Sequence, residues 1–473
     1  SEHKGGAVAT VSYDPSELIV SPDLLQKYDR PGPRYTSYPT APEWSESFGA
    51  DDYAQILAKA DQEANEPLSL YFHLPFCWER CLFCGCNVII SKRPQIAEEY
   101  LTYLGKEMDL VLDLLPRRRK VTQLHWGGGT PTYLNPSQIA HLFDMITHHF
   151  QVQPEAEIAI EVDPRVTTDE QLQTLRRLGF NRLSMGVQDL DPHVQAVVNR
   201  NQTEEQTRRL FERCRELGFK GINIDLIYGL PEQRLETWEN TLDTIIAIRP
   251  DRLAVYSYAH LPSRLKHQQK LEGRHIPLGA EKYALFALAR KKFLRAGYRA
   301  IGMDHFALPT DELAVAMDER RLYRTFMGYT VVPAPDQIGF GVSAIGEIAG
   351  AYAQNEKRPA MYFKALREHR LPTHCGIRLT KDDEIRRWVI RQVMCNFYLD
   401  FAELKQRFGV NFEEYFAQEC RELQEFVQDG FLVFHDRALQ VLPLGQVFVR
   451  NICMVFDAYL RKPKAERLYS STI

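Results

Sequence analysis

The chain has 473 residues, 44% of them hydrophobic and 25% charged, which are ordinary globular values and exclude a disordered or fibrous class for most of its length. A formal net charge of −4 leaves no overall basic footprint, so neither nucleic acid nor an anionic membrane surface is an expected partner. No apolar run approaches the roughly 18 residues of a membrane span, and the polar start Ser1-Glu-His-Lys-Gly-Gly6 lacks the apolar core of a signal peptide, so a cytoplasmic protein is expected, with one large domain plus attachments.

In chain order, residues 1 to about 20 are expected to be loose, and residues 21–50 read as too rich in Pro, Tyr and Ser for a regular helix. The apolar run Leu68-Ser-Leu-Tyr-Phe-His-Leu74 reads as a strand. Directly after it, Cys77, Cys81, Cys84 and Cys86 crowd into the stretch Phe76-Cys-Trp-Glu-Arg-Cys-Leu-Phe-Cys-Gly-Cys86. Arg117-Arg-Arg-Lys120 follows a helix and is expected to cap its negative end in solvent. A second strand, 121–126, runs into Gly127-Gly-Gly-Thr130, and Ile139, Leu142, Phe143 and Ile146 repeat at helical spacing behind it. A third strand, 157–162, carries Glu161, with Asp163 just beyond. Thr167-Thr-Asp-Glu170 and Thr203-Glu-Glu-Gln206 read as capping boxes, and Gly179 and Gly218 as helix ends. Between and after these helices, strands 182–188 and 221–230 carry Gln188 and Asp225. Cys214 shares a helical face with Leu210, Phe211 and Leu217 and reads as core. A sixth strand, 252–261, contains Ala259. Gly339-Phe-Gly-Val-Ser-Ala344 nominally fits a dinucleotide fingerprint, but it lacks the downstream acid and the surrounding unit of about 30 residues, and it reads instead as a loop over the same rim. Beyond about residue 360 the chain turns charge-rich and helical, with Asp429–Asp436 and Leu439–Leu442 forming a small hairpin in a winged-helix outline. No basic recognition face is evident there, so this segment reads as a cover.

Six strands separated by helices imply parallel pairing and a complete or partial TIM-type barrel, whose chemistry collects at the carboxyl ends of the strands. The cysteine loop, the glycine loop, Glu161, Asp163, Gln188, Asp225 and Ala259 all fall at those ends. A zinc knot would bring a second Cys or His pair from further along the chain, and none lies at suitable spacing. A disulfide conflicts with a reducing compartment. Closely spaced thiolates on one loop suit an iron–sulfur cluster, and three of them leave the fourth iron of a 4Fe-4S cube open to a small chelating molecule. Cys77, Cys81 and Cys84 are therefore assigned as ligands, with Cys86 a pocket residue or redox helper. The glycine loop permits close backbone approach to a ligand. It is no phosphate loop, because Pro131 and Thr132 stand where a Lys would be needed. Glu161, Asp163 and Asp225 read either as salt-bridged barrel residues or as ribose- and amine-binding carboxylates. His73 and His125 read as core or rim histidines rather than metal ligands.

Tyr71-x5-Cys77-x3-Cys81-x2-Cys84 followed by the glycine loop resembles the radical S-adenosylmethionine enzymes. Within them, Gly32-Pro-Arg-Tyr-Thr-Ser-Tyr-Pro-Thr40, Cys84-Gly-Cys-Asn87, His125-Trp-Gly-Gly-Gly-Thr-Pro-Thr-Tyr-Leu134, Asn223-Ile-Asp-Leu-Ile-Tyr-Gly-Leu-Pro231 and Ile301-Gly-Met-Asp-His-Phe306 resemble the oxygen-independent coproporphyrinogen III oxidases (coproporphyrinogen dehydrogenases) of heme biosynthesis. The likeness runs from about residue 21 to the end. It implies an α/β fold: a partial TIM-type (β/α)6 barrel over 51–355, an N-terminal extension and arm over 1–50 that reaches over the active site, and a mainly helical cover over 356–473. It also implies a 4Fe-4S cluster on Cys77, Cys81 and Cys84. A first S-adenosylmethionine is implied near Tyr71, Gly128 and Glu161, with Tyr71 as the catalytic candidate. A second is implied near Phe83, Gly129, Thr130, Gln188, Arg200, Asp225, Ala259 and Ile345.

The activity implied is anaerobic. A 5′-deoxyadenosyl radical removes a hydrogen from a propionate side chain, carbon dioxide and one electron leave, and a vinyl group remains. Two rounds convert coproporphyrinogen III to protoporphyrinogen IX. A tetracarboxylate needs cationic anchors, and Arg34 on the arm and Arg200 near the rim are the candidates. An electron donor such as a flavodoxin or ferredoxin, a monomeric state, and no nucleic acid or membrane partner complete the expectation. The nearest alternative is a heme-binding chaperone of the same superfamily, a branch that typically lacks counterparts of Cys86 and the arm 32–40. A simple 4Fe-4S electron carrier would not need a barrel of this size.

Overall fold

The computed structural model describes residue 16 and residues 18–63, 65–331 and 336–462; the segment expected to be loose lies largely outside the described residues. Six parallel strands form at the expected places: β1 (Leu68–Leu74), β2 (Lys120–Gly128), β3 (Gln151–Val162), β4 (Arg182–Gln188), β5 (Gly221–Tyr228) and β6 (Arg252–Ser257), with β3 starting six residues earlier than 157 and β6 ending before Ala259, which the expected strand 252–261 contained. A further parallel strand, β7 (Gln337–Phe340), pairs with the free side of β1. The parallel order is β7-β1-β2-β3-β4-β5-β6. Antiparallel strands extend both edges to 12 strands in all: His305–Ala307 and Arg299–Ile301 beyond β6, and Ile345–Ile348, Ala351–Asn355 and Thr373–Arg378 beyond β7. The two edges do not pair with each other among the described residues, so the wall is a partial barrel.

Alternation along the strands explains both faces of that wall. Leu124, Trp126, Ile158, Ile160, Leu183, Met185, Ile222 and Ile224 point outward and are buried in the main core. The residues between them, among them Gln123, His125, Glu157, Glu161, Asn223 and Asp225, line a polar lumen of about 130 Å³. Met327, Gly328 and Tyr329, from the hairpin of Tyr323–Thr325 and Gly328–Thr330, also line this lumen. The helices between the strands start and stop on local signals. Thr203 and Gln206 form a reciprocal capping box, and Gly179 and Gly218 end their helices at φ +108° and +88°. The box expected at Thr167–Glu170 is instead Thr168 with Gln171, because the Thr167 hydroxyl donates to Asp163 O at 2.8 Å.

Three other expectations are corrected. The segment 21–50 does contain a regular helix, Pro22–Tyr28, because Ser21 caps Leu24 N and Pro22 occupies the first turn, where its missing N–H costs nothing. The basic run 117–120 is not wholly solvated. Arg118 is buried, pairs with Asp336 Oδ2 at 2.5 Å and donates to Glu66 O, and so fastens the start of β7 to the chain before β1. Gly339 and Phe340 belong to a strand rather than a loop; the turn begins at Gly341, at φ +103°.

Buried Glu107 ties down the chain beyond β7 by accepting from Gly341 N at 2.8 Å, Tyr362 Oη at 2.7 Å and Asn355 Nδ2 at 2.7 Å. Every partner donates, so the amide of Glu107→Gln must face a donor. That variant is expected to lose about 1–3 kcal/mol of stability, read as a lower urea midpoint at unchanged slope.

The main sheet takes in Thr373–Arg378 and so continues past the boundary expected at 355/356. After it, helix Lys381–Asn396 and a three-stranded sheet of Tyr398–Asp400, Ala438–Val441 and Leu432–His435 share a second core. The arm contributes Leu25, Tyr28, Tyr35 and Tyr38 to that core, and Arg450 donates to Pro33 O at 3.0 Å. The described part of the arm is therefore a strap across the C-terminal unit. Among the described residues no helix is long and apolar enough to cross a membrane.

Candidate active site

The carboxyl ends of β1 to β5 open into one cavity of about 650 Å³. Cys77, Cys81, Cys84 and Cys86 reach its wall from the loop after β1, Gly128 to Thr130 from the end of β2, Glu161 and Asp163 from the end of β3, Gln188 from β4 and Asp225 from β5. The cysteine loop is pinned by backbone. Phe76 and Cys77 pair with Ile89 and Ile90, and Thr130 N donates to Phe76 O at 2.7 Å. Two glycines make that contact possible. Gly128 sits at φ +125°, and a Cβ at Gly129 would stand 2.7 Å from Phe76 O and 2.9 Å from Cys77 Sγ. Gln188, at φ +67° beside a register shift between Gly186 and Gln188, is a strained non-glycine residue on the cavity wall.

The charges around the thiols are arranged unevenly. Arg165 Nη2 lies 3.7 Å and Arg200 Nη1 3.8 Å from Cys81 Sγ. Asp163 joins the two guanidinium groups, at 2.7 Å from Arg165 and 3.6 Å from Arg200. Burial pushes the Asp163 carboxyl up, but Arg200 and Arg165 outweigh it and hold it below the ordinary carboxylate value. Burial pushes the Cys77 thiol up to about 11. A hydrogen bond with the Cys86 side chain holds the Cys84 thiol down at about 6, and the same contact drives Cys86 well above its ordinary value.

Deeper in the wall, Glu161 accepts from Gly128 N at 3.3 Å and stands 3.3 Å from His125 Nε2. Tyr71 Oη donates to His73 Nδ1 at 3.0 Å, and His73 Nε2 meets Asn87 O at 3.0 Å. A carbonyl only accepts, so His73 carries its proton on Nε2 and is neutral; burial, the largest influence on it, lowers its basicity accordingly. Burial, followed by the charge of Glu161, pushes the Asp225 carboxyl up to about 6, and Asn223 Nδ2 donates to it at 2.8 Å.

The donor set fits a cluster with an open iron. A cluster spreads its thiolate ligands over separate irons, so they need only stand along one wall. Cys77, Cys81, Cys84 and Cys86 all stand on one wall, Gly129 leaves the space a Cβ would fill, and buried Arg200 Nε has no hydrogen-bond partner among the described residues.

Of the residues singled out from the sequence, Cys77, Cys81, Phe83, Cys84, Gly128, Gly129, Thr130, Glu161, Gln188, Arg200 and Asp225 line this cavity. Four others stand elsewhere. Tyr71 is not among the residues lining this cavity but shares the inner face of the barrel with His125, on which its ring stacks at 5.8 Å between centroids. Ala259 follows the end of β6, its carbonyl accepting from Gln268 at 3.1 Å. Ile345 packs in the edge of the sheet beside Trp44 and Tyr352. Arg34 lines a separate cavity of about 60 Å³ with Tyr228 and Arg450 and donates to Ser257 O at 2.9 Å. Sequence reading missed Arg80, Lys92 and Arg165 on the cavity wall. The only local signal for Arg165 was its place two residues after the strand-end Asp163.

Comparison with known proteins agrees with this geometry. The radical SAM superfamily profile matches residues 71–245, and the HemN C-terminal domain profile matches residues 379–448. The oxygen-independent coproporphyrinogen III oxidase of Escherichia coli (strain K12) is 45% identical over 450 residues, covering 95% of this chain and 98% of that protein. The one from Pseudomonas aeruginosa is 42% identical, covering 94% and 97%. The solved structure of the E. coli coproporphyrinogen III oxidase, described as a radical SAM enzyme, superposes with a TM-score of 0.87 at 45% identity, covering 90% of this chain and 97% of that one.

Proposed function

Because the chain belongs to the oxygen-independent coproporphyrinogen III oxidases of the radical SAM superfamily, we propose that it converts two propionate side chains of coproporphyrinogen III to vinyl groups without oxygen, giving protoporphyrinogen IX. The observation that carries this reading is the single cavity in which three closely spaced thiols meet the glycine run at the carboxyl rim of the barrel. When bound, a 4Fe-4S cluster and S-adenosylmethionine supply one-electron cleavage of a sulfonium and, through it, hydrogen abstraction from the propionate β-carbon. Each propionate then loses carbon dioxide and passes one electron to an acceptor.

The protein's own residues provide binding, orientation and charge. Cys77, Cys81 and Cys84 hold the cluster, and Arg165 and Arg200 offset the negative charge at Cys81. Gly128 and Glu161, supported by Tyr71 and His125, receive one adenosylmethionine. Phe83, Gly129, Thr130, Gln188, Arg200 and Asp225, all on the cavity wall, serve the second, with Ala259 joined to Phe83 through Gln268; Ile345, packed at the sheet edge, falls outside this set. Arg80 and Lys92 on the cavity wall suit the substrate carboxylates and are placed better for them than Arg34. A flavodoxin or ferredoxin class of donor supplies the electron, and the chain works as a monomer.

The test is an anaerobic reaction with coproporphyrinogen III, S-adenosylmethionine and dithionite. Vinyl products with release of methionine and 5′-deoxyadenosine are expected; stable heme binding without turnover would overturn the proposal. A further expectation concerns Asp225. Its carboxylate form prevails above about pH 6, and in that form each oxygen can accept from a ribose hydroxyl, whereas protonation turns one of them into a donor. Anaerobic equilibrium dialysis should therefore show bound adenosylmethionine falling from two per chain toward one as pH drops through that value. Asp225→Asn should stay near one at neutral pH, and a parent-like two in that variant would remove Asp225 from the second site.

A further inference from the structure

The 3-10 turn Lys266–Leu271 follows β6 and presses on the cysteine loop with two consecutive side chains. His267 Nε2 lies 2.6 Å from Cys84 O, and its Nδ1 lies 3.5 Å from Arg80 Nη1. A carbonyl only accepts and a guanidinium only donates, so the ring is neutral with its proton on Nε2. Gln268 is 0% exposed, and its amide nitrogen and oxygen both bond to backbone. Nε2 donates to Phe83 O at 3.4 Å and Ala259 O at 3.1 Å, and Oε1 accepts from Leu261 N at 2.6 Å. Neighbouring residues of the turn thus hold the carbonyls of neighbouring residues of the loop, Phe83 and Cys84, across 185 and 183 positions of sequence.

We propose that His267 and Gln268 are positioning residues that orient the Cys84 thiolate toward its iron and hold Phe83 and Ala259 in the register that receives adenosylmethionine. This rests on the functional reading above. A buried amide that merely satisfies a loop could bond any backbone. Here the bonds fall on a proposed cluster ligand and on two proposed cofactor contacts. Hydrogen bonds outside the ligand shell set ligand orientation, and their loss typically costs about 10- to 100-fold in affinity or activity. The barrel does not depend on the pair for closure, since β6 is held by β5 on one side and by His305–Ala307 on the other.

The full chain would be loaded anaerobically with iron and sulfide and compared with His267→Phe, Gln268→Leu and His267→Gln. Melting of unloaded His267→Phe and His267→Gln is expected to stay close to the parent, whereas Gln268→Leu should melt somewhat lower, because it leaves backbone groups of Phe83, Ala259 and Leu261 without this partner. In the loaded proteins, His267→Phe and Gln268→Leu should alter the electron paramagnetic resonance signal of the reduced cluster and weaken its response to adenosylmethionine. They should also raise KM for adenosylmethionine about 10- to 100-fold, with a smaller fall in kcat. His267→Gln, whose amide can donate to the same carbonyl, should restore most of the parent signal. A parent-like signal and KM in both disruptive variants, or losses that simply follow a lowered melting temperature, would overturn the assignment alone. A parent chain that takes up no cluster would overturn the functional reading and this inference with it.

Discussion

Cys77→Ser, Cys81→Ser and Cys84→Ser are each expected to abolish the brown cluster and all turnover while leaving the barrel folded. A serine hydroxyl stays protonated at neutral pH and replaces a soft thiolate poorly. None of the three belongs to the main hydrophobic core, so the loss should be local. Iron and sulfide per chain, the visible spectrum and methionine release measure it, with melting as the control for folding. Retained decarboxylation in any one variant would refute the ligand set. Cys86→Ser should behave differently. Its thiol is a hydrogen-bond partner of Cys84, and a serine hydroxyl can donate in its place, so that variant should still take up iron.

Gly129→Ala should come close to the cysteine variants in effect, although it removes no reactive group. The added Cβ would stand 2.7 Å from Phe76 O, 2.8 Å from Pro75 O and 2.9 Å from Cys77 Sγ. Two of these neighbours are backbone and cannot swing aside, so the cysteine loop itself must move. A displacement of about 1 Å at a reacting site can cost roughly 100-fold, and turnover should fall at least that far, with reduced iron per chain. Gly49→Ala is the matched control. Neither glycine has a positive φ, but a Cβ at Gly49 would meet nothing within 4 Å, so loading and turnover should stay parent-like. Parent-like loading and turnover in Gly129→Ala would show that the glycine run does not press on the cluster loop.

Much of the scaffold was legible because its signals are short-range. Strand alternation, capping pairs such as Thr203 with Gln206, and the glycine helix ends each need only a few neighbouring residues. The same holds for the cysteine spacing, since one loop carries all four thiols. Where a local reading failed, a tertiary partner had decided the outcome. Arg118 looked like a solvated cap until Asp336 was folded beside it, and Gly339-Phe340 looked like a loop until β1 offered it an edge.

The amino-acid order alone therefore determined six parallel strands, the rim where chemistry collects and a thiol set suited to a cluster, because periodicity and spacing act within one element. Tertiary structure decided which charges face Cys81, which side chains grip Cys84 and Phe83, and that Arg34 and Ile345 stand apart from the main cavity. Those pairings join residues tens to hundreds of positions apart. They come into being only when the barrel wall assembles and the cost of closing those loops is met by burial of its outer face.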